Sequence, residues 1–379
     1  MGLEEAALYL HVPFCRAKCP YCDFYSLPQP PEEEILRKFL KALKKEVLLR
    51  RAELESYRFV TLYVGGGTPS LLPPWFYQNF YEFLEKELTF TPQEATLEAN
   101  PEGLTLKYLR AVKSIFNRLS LGAQSLRAEG LRALGRRHSI DDIKKAFEAA
   151  RNAEIKNISL DFIFGWPGQT LILLEQELKE IKLLAPEHIS YYELTLEEGT
   201  AFYQKARKGK LSLPPEDEVI RMYEFVHSFL VEAGYEHYEI SNFARFGFRC
   251  RHNLFYWEAR PYLGLGPAAA SYLHGRRTKT VEDLHLYLKS LEEGVLPPRE
   301  VEKLTEEERF REAVILGLRL LGGIDLFLFR KRFQYDLRAY YGARLRRLFE
   351  IGLLEISDNH LRLTQKGRLL ANAVFRELV

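Results

Sequence analysis

The sequence predicts an α/β protein: repeated strand–helix units building a parallel sheet, open or curled into a partial barrel, followed by a C-terminal winged-helix-like domain. Three observations carry this reading. From residue 8 to about residue 235, short β-rich runs alternate with amphipathic helical stretches. The glycine-rich and polar segments of that region come directly after the strand runs, where chemistry collects in such folds. After Leu296-Pro297-Pro298-Arg299, a linker-like break, the pattern changes to helices and one short hairpin.

The strand candidates, in order, are Leu8–Val12, Phe59–Val64, Ala95–Glu98, Arg118–Leu121, Asn157–Phe162 and His188–Tyr192. Helical patterns lie between them, the clearest being Glu33–Leu49. There Leu36, Phe39, Leu40, Leu43 and Val47 recur at three- and four-residue spacing while Lys and Glu fill the other face. Six strands with intervening helices argue for repeated βα units. The alternation weakens after about residue 235, where Phe246-Gly247 and Gly264-Leu265-Gly266-Pro267 punctuate an aromatic-rich stretch. Residues 1–235 therefore read as the core, 236–298 as an extension and 299–379 as the C-terminal domain.

In that last domain, Thr305 and Glu308 carry the signature of a capping box. Two more helical patterns follow, then Gly352–Ile356, a turn at Asp358-Asn359, Leu361-Arg362-Leu363 and a terminal helix. Such a shape often binds DNA, but residues 301–379 hold 15 Lys/Arg against 11 Asp/Glu. That balance makes no basic field, so the domain reads as a structural cap and no nucleic-acid partner is expected.

Composition narrows the class further. With 379 residues, 46% hydrophobic, the chain can bury a sizeable core. Its 54 basic and 52 acidic side chains nearly cancel, which argues against a nucleic-acid or membrane field. No run approaches the roughly 18 apolar residues of a membrane span, so no transmembrane segment is expected. The first residues lack the basic and apolar stretches of a signal peptide. Four cysteines, three of them within eight positions, are not a disulfide framework. A reducing, cytoplasmic location follows as the expectation, for a monomer or homodimer.

The chemistry concentrates in Cys15-x3-Cys19-x2-Cys22, directly after the first strand. A tight loop of thiolates can converge on one iron–sulfur cube. Three ligands for four irons leave one iron open to a chelating amine and carboxylate, such as those of S-adenosylmethionine (SAM). A structural zinc site would want four ligands. The run Leu8-Tyr9-Leu10-His11-Val12-Pro13-Phe14-Cys15, continued by Cys19-Pro20-Tyr21-Cys22-Asp23-Phe24, resembles the radical SAM family. In particular it resembles the branch of oxygen-independent coproporphyrinogen III oxidases and their homologues.

The resemblance implies a radical SAM partial (β/α)6 barrel, a [4Fe–4S] cluster on Cys15, Cys19 and Cys22, and SAM as cofactor. It implies that Gly66, Gly67 and Thr68, in Gly65-Gly66-Gly67-Thr68-Pro69, receive the SAM amino group. Glu98, Gln124, Arg136 and Asp161, at successive strand ends, then contact SAM. Gln and Asp suit hydrogen bonds to ribose or adenine, and Arg suits a carboxylate. Arg136 is preferred to Arg137 on its spacing from Gln124. Tyr9, near His11, matches a tyrosine that contacts the first SAM in the oxidases, and Tyr21 matches a position near a second SAM.

Two features separate branches of the family. The oxidases carry a further Cys two positions after the third ligand, where this chain has Phe24. The segment His252-Asn253-Leu254-Phe255-Tyr256-Trp257 resembles a signature of heme-chaperone homologues, which bind heme and pass it to acceptor hemoproteins, some membrane-associated. There His252 would meet heme iron, Tyr256 and Trp257 would stack on the porphyrin beside Asn253, and Arg249 and Arg251 would meet propionates. Two other readings stand: His252 as a satisfied core histidine, and Cys250 as an inert thiol or an alternative heme ligand. Decarboxylating oxidase activity is the alternative function, and a radical SAM methyltransferase or heme-degrading enzyme a more distant one.

Overall fold

The structure, a computed structural model, describes residues 2–379. Six parallel strands stand side by side in chain order: β1 (Glu4–Val12), β2 (Tyr57–Gly66), β3 (Phe90–Ala99), β4 (Arg118–Gln124), β5 (Asn157–Phe164) and β6 (His188–Glu193). Every expected strand is present and runs a few residues beyond the stretch read from the sequence. The helix Glu33–Leu49 also forms, burying Leu36, Phe39, Leu40, Leu43 and Val47 against the sheet. Each such side chain contributes about 1.5–3 kcal/mol by leaving water.

The sheet does not close. On the β6 side it continues antiparallel through β7 (Glu236–Glu239) and β8 (Asn242–Ala244). On the β1 side it gains β9 (Tyr262–Leu265), parallel to β1, then the antiparallel β10 (Ala270–Leu273), β11 (Arg276–Thr280) and β12 (Arg299–Lys303). Residues 236–298 are thus not a separate layer, because their strands cover both exposed edges of the core. The boundary at 299 also moves. Arg299–Lys303 pairs with β11 along its whole length, so the C-terminal unit begins at the helix Glu306–Gly317.

That unit has its own core around Phe310, Val314, Leu345, Leu361 and Val374. Its first helix opens with the Thr305–Glu308 capping box. The helices Leu326–Phe333 and Leu337–Glu350 follow, and β13 (Ile324–Asp325), β14 (Leu354–Ser357) and β15 (His360–Leu363) make a three-stranded sheet. The β14–β15 turn passes through Asp358 and Asn359 at φ +50° and +62°, which short polar side chains tolerate. Among the described residues no helix is long and apolar enough to cross a membrane.

Side-chain alternation along the six strands sets up the site. One face of each strand packs apolar groups against the helices: Leu8 and Leu10, Leu62 and Val64, Leu97, Leu119 and Leu121, Leu160 and Phe162, Ile189. The alternate face lines the lumen and is polar: Tyr9, Thr61 and Tyr63, Glu94 and Glu98, Arg118 and Ser120, Ser159 and Asp161, His188 and Ser190. Buried polar groups need partners.

In the lower lumen the chain supplies them. The short helix Arg251–Trp257 plugs it, with the buried Glu94 carboxylate accepting from the backbone nitrogens of Arg251 (3.0 Å) and His252 (2.9 Å). Ser159 meets His188 at 2.8 Å, and His188 meets Tyr238 at 2.8 Å. Removing the Glu94 acceptor would leave two buried N–H groups unpaired beside Arg118. Glu94→Ala should therefore lose about 2–4 kcal/mol in denaturant unfolding, and Glu94→Gln, which keeps an acceptor oxygen, clearly less. Equal losses in the two variants would contradict this role.

Candidate metal and cofactor centre

After β1 the chain folds a loop across the C-terminal mouth of the barrel. Leu27 N donates to Pro13 O (2.6 Å) and Cys15 N to Leu27 O (2.9 Å), closing the loop at its base. Gly67 N donates to Val12 O and Thr68 N to Phe14 O, both at 2.7 Å, so the glycine segment after β2 is stitched to the same loop. A Cβ on Gly67 would stand 2.4 Å from Phe14 O, and Gly66 sits at φ +104° against the His11 ring. Only glycine allows both approaches.

Cys15, Cys19 and Cys22 are free, half-buried thiols on the wall of a cavity of about 790 Å³. Cys15 Sγ lies 3.2 Å from Thr68 Oγ1, and Arg136 Nη1 donates to Cys19 Sγ at 3.2 Å. Arg136 Nη2 also donates to Asn100 Oδ1 (2.5 Å), and Asn100 Nδ2 donates to Thr68 Oγ1 (3.0 Å). This arc ties the ends of three strands around the sulfurs. Burial pushes the Cys15 thiol up and the Cys22 thiol to about 11, so thiolates here need a positive partner. Among the described residues no three His, Cys, Asp or Glu side chains converge on one metal ion. Three thiols spread around a cavity wall fit a larger polynuclear cluster, and the buried, unpartnered Arg136 Nε faces the same chemistry.

Deeper in the cavity, Glu98 accepts from Tyr63 Oη (2.8 Å) and from Gly66 N (3.2 Å). Burial lifts its carboxyl to about 7, against the Tyr63 hydrogen bond and with the help of the Asp161 charge. Asp161 accepts from Ser120 Oγ (2.7 Å) and Ser159 Oγ (2.9 Å). Gln124 ends β4 at φ +65°, a strained setting for a non-glycine residue. A cationic ligand such as a sulfonium or ammonium suits the Glu98–Asp161 pair, and an oxygen-rich ribose suits the remaining donors.

Cys15, Cys19, Cys22, Tyr21, Gly66, Gly67, Thr68, Glu98, Gln124, Arg136 and Asp161 all line this one cavity, while Arg137 is exposed outside it. Tyr9 does not reach the cavity. Its hydroxyl meets His11 Nδ1 at 3.2 Å and its ring stands beside Tyr63 and His252, below the cavity floor. Asn100, which closes the third strand beside Glu98, also lines the cavity, as do Tyr63, Arg118, Ser120 and Ser190, to which the sequence motifs assign no role. Part of their signal is present in the sequence: counting back by twos from Gly65 lands on Tyr63, and from Gln124 on Ser120 and Arg118.

The residues expected to contact heme, in the segment 249–257, are largely packed and paired in this structure. His252 is buried, its Nδ1 paired with Thr61 Oγ1 (2.9 Å) and its Nε2 with Tyr256 Oη (2.8 Å). Burial drops its imidazole pKa to about 3, and both ring nitrogens are committed. Tyr256 stands edge-on to Tyr262, and Trp257 lies under Arg319, 4.3 Å from its ring. Arg249 pairs with Glu236 and Arg251 with Gln93. Only Asn253 reaches the cavity. Cys250 is fully buried, its thiol pushed up to about 12 by burial. In this conformation the segment is the floor of the barrel: the core-histidine and inert-thiol alternatives describe it.

Comparison with known proteins follows the same outline. Residues 9–181 match the model of the radical SAM superfamily, and residues 304–370 that of the HemN C-terminal domain. The heme chaperone HemW of Bacillus subtilis is 37% identical over 372 residues, 97% of each chain. That of Mycobacterium tuberculosis is 34% identical over 379 residues, 99% of this chain and 95% of the relative. Among solved structures, coproporphyrinogen III oxidase (HemN) from Escherichia coli superposes with a TM-score of 0.84 over 99% of this chain and 90% of that one. At 23% identity that likeness speaks for the fold.

The raised Glu98 carboxyl has a measurable consequence for the protein without cofactors. An unfolded glutamate loses its proton near pH 4.5, whereas Glu98 in the fold keeps its proton until about pH 7. Between those values the unfolded chain binds fewer protons, so stability falls as pH rises through this window and stays lower above it. The cost is about 1–3 kcal/mol, at about 1.4 kcal/mol per pKa unit and with allowance for solvent in the cavity. Relative to wild type, Glu98→Gln should therefore gain melting temperature at pH 8 over its value at pH 5. An identical difference at both pH values would contradict the assignment.

Proposed function

The chain belongs to the HemW family of the radical SAM superfamily, and from that premise we propose that it is a heme chaperone. It binds heme and hands it to acceptor hemoproteins, membrane-associated ones included, in the cytoplasm. It carries a [4Fe–4S] cluster on Cys15, Cys19 and Cys22 together with SAM. The observation that carries this choice is Phe24. Its side chain, 60% exposed, stands at the cavity mouth two positions after the third thiol, where the decarboxylating oxidases have a further Cys.

The cluster, when bound, supplies one-electron chemistry toward the sulfonium of SAM. The chain's own residues do the placing. Arg136 and Thr68 orient the sulfurs of Cys19 and Cys15. The backbone of Gly66 and Gly67 lets the ligand's amino end approach closely, and Glu98 offers a carboxylate to its positive charge. Gln124 and Asp161 offer hydrogen bonds to ribose or adenine, and Tyr21 walls the thiol side. Arg118, buried in the lumen with Nε and Nη1 unpartnered, supplies a fixed positive charge below them.

Two measurements test this reading. Absorption titration of the purified protein with ferric heme should reveal one tight site per chain. Reconstituted, reduced protein incubated anaerobically with SAM and coproporphyrinogen III should form no protoporphyrinogen. Absence of heme binding, or oxidative decarboxylation, would overturn the proposal in favour of the oxidase. For the cluster, Cys15→Ala, Cys19→Ala and Cys22→Ala should each lose most bound iron and sulfide on reconstitution, whereas Cys250→Ala keeps them. Full iron content in any of the first three would contradict the assignment.

A further inference from the structure

The outer side of the thiol loop carries a concentration of charge that the cavity does not use. Gly135 stands so close to Pro20 that a Cβ on it would lie 2.8 Å from the proline ring. Phe202 N donates to Pro20 O at 2.9 Å, and the Phe202 ring lies beside Tyr21 with centroids 6.3 Å apart. Three segments thus meet at Pro20, between Cys19 and Cys22: residues 16–22, residues 132–137 and residues 201–210, the last opening with the helix Ala201–Arg207. They hold two, three and four Lys/Arg respectively, and no Asp or Glu. The whole chain balances 54 basic against 52 acidic side chains, so the excess is local.

One of these cations, Arg136, turns inward to Cys19. Arg16 pairs with Glu102 at 3.1 Å, and Arg132 approaches Glu129 at 3.9 Å. Lys18, Arg137, Lys205, Arg207, Lys208 and Lys210 are exposed and make no ion pair among the described residues. Elsewhere on the surface comparable side chains are paired, as in Lys113–Glu154 and Lys179–Glu175, both at 2.6 Å. A one-sign patch without counter-charges sends its potential into solvent, where it attracts and steers an acidic partner.

Position decides which partner gains from this face. The one-electron chemistry of a cluster on Cys15, Cys19 and Cys22 consumes an electron that no side chain of this protein is reducing enough to give. Electron transfer weakens steeply with distance, so the donor must come close to the loop that holds the ligands. The lumen side of that loop is the side of the SAM pocket, which leaves the outer side at Pro20 for a protein donor. A polynucleotide would be drawn by the same sign of charge, but only an electron carrier gains from lying over two cluster ligands.

We propose that this basic face docks a small acidic one-electron carrier protein, with a flavin or iron–sulfur centre, that reduces the cluster. One electron leaves the carrier's reduced centre and enters the cluster, and no bond is made or broken. The proposal rests on the cluster assignment above and adds the surface through which the cluster is fed.

The test uses the full chain and two acidic probes, a flavodoxin and a plant-type ferredoxin. Binding of each oxidised probe is measured before and after cluster reconstitution, and then the rate at which each reduced probe reduces the reconstituted cluster. Photoreduced deazariboflavin, a small uncharged donor, serves as the reference. The triple variant Arg137→Glu, Lys205→Glu, Lys208→Glu should bind the probes and accept their electrons about 10-fold more weakly and slowly at low salt, with the gap closing as salt rises. Its iron content, melting temperature and reduction by deazariboflavin should match wild type, because all three side chains are exposed. Arg338→Glu, Arg344→Glu, Arg346→Glu, the same charge change on the C-terminal unit, should leave binding and rate near wild type. If the first triple variant matches wild type with both probes, or the second is equally impaired, the docking proposal is overturned while the cluster assignment stands. It is also overturned if neither probe binds or reduces wild type while deazariboflavin does, and retention of nucleic acid in that case would assign the face to a polynucleotide. If no cluster forms on the three cysteines, both fall.

Discussion

Polar satisfaction inside an incompletely filled barrel is the constraint on which the rest of the molecule depends. Six strands turn apolar side chains outward to the helices and polar ones inward, so the lumen holds Glu94, Glu98, Arg118, Asp161 and His188 away from bulk water. Such groups are costly unless each finds a partner. In the lower lumen the helix Arg251–Trp257 and its neighbours provide them: Glu94 caps the helix, and Thr61 and Tyr256 hold both nitrogens of His252. In the upper lumen the fold leaves the task unfinished. Cys15 and Cys22 sit where burial opposes their ionisation, a carboxyl is lifted toward neutrality, and Arg136 Nε has no partner among the described residues. A cluster and a cationic ligand would complete that network, which is why the cofactor chemistry gathers at the strand ends.

The legible parts of the sequence were the local ones. Thiol spacing within one loop, glycines directly after a strand and polar residues at successive strand ends are short-range patterns, and the structure brings them to one cavity. Period-two alternation along the strands also holds the lumen residues Tyr63 and Ser120. What failed was long-range. The meaning of His252 depends on Thr61 and Glu94, 191 and 158 residues away, and nothing in its own segment announces them. The boundary at 299 failed for the same reason, since pairing with β11 decides to which unit Arg299–Lys303 belongs. His227 and His237 stand ten positions apart, with a helix end and a turn between them. Only the fold puts their nitrogens in contact.

The C-terminal unit does more than cap the sheet. Arg368, Leu369, Leu370 and Ala371 line the lumen cavity, so this unit closes one side of the space that the strand ends open. Arg368 also lines the crevice between the helix Glu216–Glu232 and β14 and β15, which places it at the junction of core and C-terminal unit.

The central claim is that the three thiols and the polar strand ends form one centre, completed by a cluster and a cationic ligand. Electron paramagnetic resonance of the reduced, reconstituted protein tests it most directly, following the cluster signal as SAM is added. The account predicts a SAM-dependent change in that signal, weakened in Glu98→Gln. A cluster signal that SAM leaves unmoved would contradict the account.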